Sequence, residues 1–491
     1  MFKDATHSEI DKALRDASFT FQSYRNTPAK KRAEFLRTIA LEIDALDSLL
    51  IDTASEETAL PGPRVMVERA RTTGHLKMFS DYIEEGSWVE ARIDTGIPDR
   101  TPTPKPDLRK MLVPIGPVVV FGAANFPLAY STAGGDTVSA LAAGCPVIVK
   151  AHPAHSKTSQ LVADAIGRAM KKTGMPEGVF QHLHGVSFEV GKALVQHPLT
   201  KAVGFTGSFV GGKALFDMAN QRKEPIPVFA EMSSTNPVIL LPESLKKNSS
   251  TTAEKVAASL VMSVGQFCTN PGLLIAIEHE GLNDFVKALS EKISTQQPEL
   301  MLHDGIAENY NTKLKQALSQ KGVSIEAEAS GTSGKRQGKA IVASVKAEVF
   351  LKNPLLTDEV FGPFSLLVRC ADRHELHSVV SNLHGQLTST LIGEEEELRG
   401  YQNVINTMVE KAGRVIINGV PTGVEVCPSM HHGGPFPSTT DSRFTAVGTD
   451  AMKRFARPVT FQNFPNSMLP KELMEENPLK IWRLYNSEWK K

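Results

Sequence analysis

The sequence predicts an α/β protein made of two doubly wound lobes. Three observations carry that prediction. From Val113 onward, short apolar runs of strand length alternate with longer amphipathic stretches, the pattern of parallel strands joined by crossover helices. A second block of the same texture starts near Pro237, after a junction around Glu231. The chain has 491 residues, long enough to bury more than one core.

Taken in order, the elements follow from local patterns. Apolar residues recur at three- and four-residue spacing from Ser8 to Arg25 and from Pro28 to Ile51, so both read as helices. Trp88 to Leu112 carries Pro98, Pro102, Pro104 and Pro106 and reads as an irregular crossing segment or exposed edge. Val118–Phe121 reads as a buried strand followed by a helix through Leu141. Strands at Pro146–Lys150, Val179–Leu183 and Ala202–Phe205 precede helices at Ser156–Lys172, from Ser187 and from Ser208. The second block offers a strand at Pro237–Leu241, a helix after Thr252, and strands at Leu273–Ile277 and Arg414–Asn418. Glu326–Ala340 reads as an exposed loop, and Glu394–Glu397 as a solvated turn.

Composition removes several function classes. Lys and Arg number 54 against 54 Asp and Glu, a net charge of zero, which lacks the basic footprint of a nucleic-acid or membrane-surface binder. The uncharged stretches Met111–Gly135 and Val256–Ile277 are interrupted by Pro, Gly, Gln and Asn, so they read as core rather than membrane spans. The N-terminus MFKDATHSEIDKAL has no apolar run of the signal-peptide kind. Four cysteines are too few for a disulfide framework, and a reducing, cytoplasmic setting is expected.

Several positions carry candidate chemistry. Gly207-Ser-Phe-Val-Gly-Gly212-Lys-Ala214 approaches a phosphate-binding loop, but Ala214 stands where a magnesium-binding hydroxyl belongs. The same glycine-rich turn at a helix start could hold a dinucleotide pyrophosphate, or be only a tight turn. Cys268 lies in Gly-Gln-Phe-Cys-Thr-Asn-Pro-Gly, among turn residues; it is a nucleophile or a small packed side chain. Cys145 and Cys370 sit in apolar, strand-like context and read as structural. Glu231 ends a strand-like run and reads as a desolvated base or a cap. Asn125 could donate to an oxyanion or cap a helix. No HExxH, CxxC or clustered Cys/His spacing is present, so no metal is expected despite His152, His155 and the pair His431-His432.

Together these segments resemble the aldehyde dehydrogenase superfamily over nearly the whole chain. The motifs occur in that family's order: Phe121-Gly-Ala-Ala-Asn-Phe-Pro127, Val147-Ile-Val-Lys150, Phe205-Thr-Gly-Ser208 with Gly212, Glu231, Gly265-Gln-Phe-Cys268, and Glu359-Val-Phe-Gly-Pro363. Further stretches resemble the α-ketoglutarate semialdehyde dehydrogenases: Pro127–Asp136, Lys150–His155, Pro421–Cys427 and His432–Pro437. NADP-preferring fatty-aldehyde dehydrogenases resemble the same stretches. At Glu231 most relatives continue Leu-Gly-Gly-Lys, whereas Met232-Ser-Ser-Thr235 follows here. The N-terminus also looks shorter than the family pattern.

The resemblance implies two Rossmann-like lobes plus a small β oligomerisation flap. Residues 1–95 and 115–231 would form the dinucleotide-binding domain and 232–444 the catalytic domain. Residues 96–114 and 445–491 would bridge subunits of a homodimer or dimer of dimers. It implies Cys268 as nucleophile, Glu231 as base and Asn125 as oxyanion donor. Lys150, Gly207, Ser208, Gly212, Glu359, Phe361, Phe121 and Pro153 would line the cofactor. Pro153 replaces the glutamate of NAD-preferring relatives, and His152, His155 and Lys157 lie nearby; NADP as well as NAD is therefore expected. A carboxylate-bearing aldehyde needs a cation, for which Arg443 is one candidate. A noncatalytic binding member of the fold is the alternative outside enzymology.

Overall fold

Val118, Val119 and Val120 are wholly buried, as a central parallel strand covered on both faces must be. In the computed structural model, which describes residues 2–491, they anchor the first of three principal sheets. Its spatial order is Phe180–Leu183, Val147–Lys150, Val118–Phe121, Ala202–Thr206, Val228–Glu231, all parallel. The chain enters at the centre, winds to one side, then returns to the other. The carboxyl ends of all five strands therefore share one rim, with a topological switch beside Val118–Phe121, where open α/β sheets bind ligands.

The second sheet has seven strands: Ser324–Glu328, Ile341–Lys346, Phe364–Cys370, Leu273–Ile277, Val238–Leu240, Gln386–Ile392 and Ala412–Ile417. Only the first pairs antiparallel. The third sheet runs Ala456–Gln462, Leu108–Pro114, Arg92–Asp94, Arg483–Tyr485, Glu488–Lys490. Arg92–Asp94 pairs with Leu108–Lys110, so this sheet begins before residue 96. Leu108–Pro114 is a regular strand rather than an irregular segment, because its ladder to Ala456–Gln462 is made by residues far along the chain. Among the described residues no helix is long and apolar enough to cross a membrane.

Other departures from the sequence pattern have local causes. The expected helix Pro28–Ile51 is two helices, Ala29–Asp44 and Asp47–Thr58. The helix expected directly after Phe121 starts only at Gly135. The residues between form tight turns, and a Cβ on Gly134 would lie 2.5 Å from the Ala129 carbonyl oxygen. The helix expected after Thr252 starts ten residues earlier and spans Pro242–Val261. Its polar first half hides the periodicity, and the Glu397 carboxylate accepts from the Glu243 and Ser244 amides at its N-terminus (2.9 and 3.3 Å). Glu394 binds Lys247. The acidic run at 394–397 is thus a helix cap as well as the entry to the short helix Glu395–Arg399. The expected loop at 326–340 begins inside the strand Ser324–Glu328.

The turn that carries Asn125 is fixed from outside its own segment. Glu68, fully buried on the helix Gly62–Glu85, accepts from the Leu128 and Ala129 amides, both at 2.9 Å. Arg64 pairs with its other oxygen at 2.8 Å. Removing this carboxylate would strand two buried N–H donors. Glu68→Ala is expected to destabilise the protein by about 2–3 kcal/mol, read as a lowered urea midpoint at unchanged m-value. A change under about 0.5 kcal/mol would mean that the turn holds itself.

Candidate active site

Three segments meet where the first sheet faces the second lobe. Glu231 ends the last strand of the first sheet and is 3% exposed. His432 brings its Nε2 to 3.1 Å from Glu231 Oε1 and 3.6 Å from Cys268 Sγ. All three functional atoms lie within 4.8 Å of one another. A carboxylate only accepts, so the Nε2 proton points at Glu231. The thiol can then give its own proton to the same carboxylate.

Backbone contacts deliver these side chains. Met232 N donates to Ser438 O at 2.8 Å, and Glu231 forms a bridge with Thr439. Ser438–Thr440 thereby extends the edge of the first sheet. The segment after His432 passes against neighbouring backbone. A Cβ on Gly413 would lie 2.1 Å from Gly433 O, and one on Gly385 would lie 2.0 Å from Pro435 O. Only glycine permits that approach.

Cys268 is held from below. Gln386 Oε1 accepts from Ser234 Oγ (2.9 Å), Thr235 N (2.8 Å) and Asn236 N (3.1 Å). Asn236, in the left-handed region at φ 47°, donates its amide to Cys268 O (2.8 Å) and Asn270 O (2.9 Å). This explains the Ser-Thr that departs from the family pattern: both hydroxyls serve Gln386. Ahead of the cysteine, Ser263, Val264 and Gly265 are all left-handed (φ 48°, 57° and 64°). That is costly for a β-branched residue, and it turns the chain sharply toward the site. A Cβ on Gly265 would fall 2.4 Å from Gly362, so the Glu359–Pro363 segment packs directly on this loop. Asn125 Nδ2 donates to Gln266 O at 3.1 Å, which places its amide beside the cysteine loop.

Electrostatics separate the two reacting groups. Burial, then the neighbouring Glu231 charge, pushes the Cys268 thiol well above its ordinary range. Burial also works against Glu231 ionising, but His432, the Cys268 thiol and Arg454 outweigh it and hold the carboxyl below its usual value. The resting state is a neutral thiol beside an ionised base. Glu359 is pushed up to about 7 by burial, against donors from Ser233 and Ser234.

The rim of the first sheet carries the positions expected to hold a dinucleotide. Lys150 ends its strand half-buried, and burial lowers its pKa. Ser208 caps the helix Phe209–Asn220 through Gly211 N (3.2 Å), in an exposed turn that starts at Gly207. A Cβ on Gly212 would strike Met232 at 2.6 Å, so the glycine seats this helix on the strand that bears Glu231. Phe188 and Val210, 96% and 77% exposed, stand at the starts of two adjacent helices. Exposed backbone at a helix start with apolar flanks fits a dinucleotide. Glu359, Phe361 and Phe267 line one cavity. Pro153 is exposed. Phe121 is buried against Phe205, so its side chain is core and only its backbone faces the rim. His155 is buried, with Nε2 2.8 Å from Ala123 O, which removes it from the donors expected near a 2′-phosphate. Arg443 stands apart: 79% of its side chain is exposed, and it forks onto Asp441 at 2.8 and 2.5 Å.

The profile of the aldehyde dehydrogenase family matches residues 1–460. The chain belongs to this family. It is 45% identical to an alpha-ketoglutaric semialdehyde dehydrogenase of Acinetobacter baylyi over 99% of this chain and 92% of that one. It is 47% identical to alpha-ketoglutaric semialdehyde dehydrogenase 2 of Azospirillum brasilense, with the same coverage. The fold matches a Thermus 1-pyrroline-5-carboxylate dehydrogenase solved with bound NAD (TM-score 0.78, 20% identity, 94% of this chain and 86% of that chain). It also matches a Methanocaldococcus jannaschii glyceraldehyde-3-phosphate dehydrogenase complexed with NADP (TM-score 0.77, 20% identity, 94% and 95%). In this aldehyde dehydrogenase, the residues expected as nucleophile and base, Cys268 and Glu231, lie within 4.8 Å of one another together with His432. His432 was visible in the sequence as half of a His-His pair and as the start of the His432–Pro437 stretch, with no role attached, and Asn236 and Gln386 gave no signal at all.

The raised thiol has a kinetic signature. Carbamidomethylation of Cys268 in the cofactor-free enzyme is expected to accelerate about tenfold per pH unit from about pH 7 to 9. Mass spectrometry of the Cys268 peptide reads it separately from the other three cysteines. A plateau below about pH 8 would mean a thiolate already formed at rest.

Proposed function

We propose that this enzyme oxidises α-ketoglutarate semialdehyde to 2-oxoglutarate with NAD or NADP. The contact of Cys268, His432 and Glu231 carries the chemistry. The near-full-length identity to two alpha-ketoglutaric semialdehyde dehydrogenases supports the substrate.

Cys268 Sγ attacks the aldehyde carbon as its proton passes to Glu231, the base held ionised within reach. A thiolate formed ahead of attack would face that carboxylate as a second anion, so transfer and attack run together. His432 keeps its proton on the carboxylate and spreads the charge. The Asn125 amide and the Cys268 backbone N–H stabilise the oxyanion; loss of one such donor costs about two to three orders of magnitude in rate. NAD(P), when bound, would accept the hydride that the Cys268 thiohemiacetal loses on becoming a thioester. Lys150 and Glu359 would hold the nicotinamide-side ribose, Phe361 would line the nicotinamide end, and Gly207, Ser208 and Gly212 would carry the pyrophosphate. Pro153 and the Phe121 backbone complete that wall. After releasing its proton, Glu231 draws one from water to hydrolyse the thioester.

Pro153 itself brings no carboxylate, which supports NADP use; against it, Glu57 accepts from the Lys157 and Thr158 amides at the same helix start and Glu56 pairs with Lys157 at 3.9 Å. The third sheet leaves Glu488–Lys490 as one edge and Ala456–Gln462 as the other, and Trp482 and Trp489 are exposed; these support assembly into a homodimer or dimer of dimers. Four free cysteines suit the cytoplasm.

The test is NAD(P)H formation from acidic semialdehydes and from alkyl aldehydes with each cofactor. A higher kcat/KM for the acidic semialdehyde is expected. Preference for long alkyl aldehydes would overturn the substrate, and a kcat/KM for NAD at least about tenfold above NADP would overturn NADP use. Glu231→Gln is expected to lower kcat by about 100- to 10,000-fold, while Cys268 alkylation near pH 7 is not slowed, because the lost charge is one that raises the thiol. Turnover within about tenfold of wild type would assign the base elsewhere.

A further inference from the structure

The helix Gly62–Glu85 presents two arginines, Arg64 and Arg71, to one aromatic wall beside the nucleophile. Arg64 lies 4.5 Å from the Phe126 ring centroid and 5.5 Å from that of Phe267. Arg71 lies 5.7 Å from the Tyr130 ring centroid. The rings form a chain: Tyr130 to Phe126 at 5.2 Å and Phe126 to Phe267 at 5.4 Å, with Phe267 adjoining Cys268. Tyr130 also stands 6.3 Å from the His432 ring.

The two guanidiniums differ in how their charge is met. Arg64 is neutralised by buried Glu68. Arg71 forms no ion pair among the described residues. Its one side-chain hydrogen bond among the described residues is a long one from Nη2 to the Tyr130 hydroxyl (3.4 Å). Its Nε is buried without a partner. A half-buried, uncompensated guanidinium is costly unless an anion meets it. Arg414 also borders this region and its Nε is likewise buried without a partner, but its Nη atoms donate to Gly423 O and Pro421 O (2.9 and 2.6 Å), whereas those of Arg71 have only the long bond to Tyr130.

We infer that Arg71 is the specificity residue that receives the carboxylate of the substrate while the aldehyde end reaches Cys268. The inference rests on the acidic-semialdehyde reading above, and it moves that role from Arg443 to the helix Gly62–Glu85. The electrostatic coupling agrees: Arg71 acts on the Cys268 thiol in the direction opposite to burial. The fork of donors on Arg71 suits a carboxylate bidentately. The aromatic wall between would pack the substrate's methylenes.

The test compares 2,5-dioxopentanoate with pentanal, an uncharged aldehyde of the same chain length, in the full-length enzyme, Arg71→Gln and Arg71→Lys. The ratio of their kcat/KM values is expected to fall about ten- to hundredfold in Arg71→Gln, through KM of the acid, and less in Arg71→Lys. The inhibition constant of 2-oxoglutarate should rise by a similar factor. A parallel loss for both aldehydes with an unmoved inhibition constant would make Arg71 merely structural and overturn the inference. If the wild-type enzyme itself fails to prefer the acidic aldehyde, the substrate reading falls, while the 2-oxoglutarate inhibition constant still decides for or against Arg71 as the anion site.

Discussion

A buried carboxylate at the seam of two lobes is the constraint around which this site is arranged. Glu231 is almost wholly out of water, where an isolated charge costs several kcal/mol. It stays ionised because His432 and the Cys268 thiol both face it. Each of those groups must then be delivered with little positional freedom. His432 arrives on a segment that glycine lets slide against Gly385 and Gly413. Cys268 arrives on a loop bent by three left-handed residues and tied down by Asn236. Asn236 is itself set by Gln386, which gathers three donors on one oxygen. The chain of dependence runs from the second sheet to the base at the end of the first.

This arrangement has a chemical consequence. A cysteine enzyme can hold a thiolate in readiness, or hold a thiol beside a base. Here the nearest charge is negative, so the thiolate is disfavoured until an electrophile takes up the sulfur's electrons. The same carboxylate is then free for water once its proton has left. In the proposed mechanism one base is therefore used twice, and the cost of a less reactive resting thiol is offset by a nucleophile that is less open to oxidation.

The parts of this design that were legible in sequence are those whose signals are local. Strand-length apolar runs foretold the first sheet nearly residue by residue, because buried parallel strands must be apolar on both faces. Glu231 ends such a strand, whereas Cys268 lies in a loop after the turn Met262–Gly265; the roles expected of both came from the family resemblance, not from local pattern. Non-local pairing was not legible: Leu108–Pro114 is a strand only because Ala456–Gln462 lies beside it. Side chains that act across the fold were equally hidden. Gln386 sits in an ordinary strand, and Arg71 looks like any charge on an amphipathic helix. Arg443, chosen for its place next to a motif, points to solvent and Asp441. Proximity in sequence was a poor guide to which cation was already paired.

The same point bears on net charge. A total of zero says that the chain as a whole attracts no polyanion, but catalysis on a small anion depends on how charges are paired, not on their sum. Along the helix Gly62–Glu85, Arg64 and Glu68 cancel at the protein's own expense and fix the Asn125 turn. Two turns further on, Arg71 has no such partner and lies against the aromatic wall. Glu231, beside His432 and Cys268, repels any anion that approaches the thiol too closely. A substrate with an aldehyde at one end and a carboxylate at the other meets both fields in the favourable sense, with its neutral end toward Glu231 and its charged end toward Arg71. A shorter carboxylated aldehyde would draw its charge toward Glu231, and an alkyl aldehyde would gain nothing from Arg71. Discrimination by length and charge follows from where one unpaired arginine and one buried glutamate stand relative to Cys268.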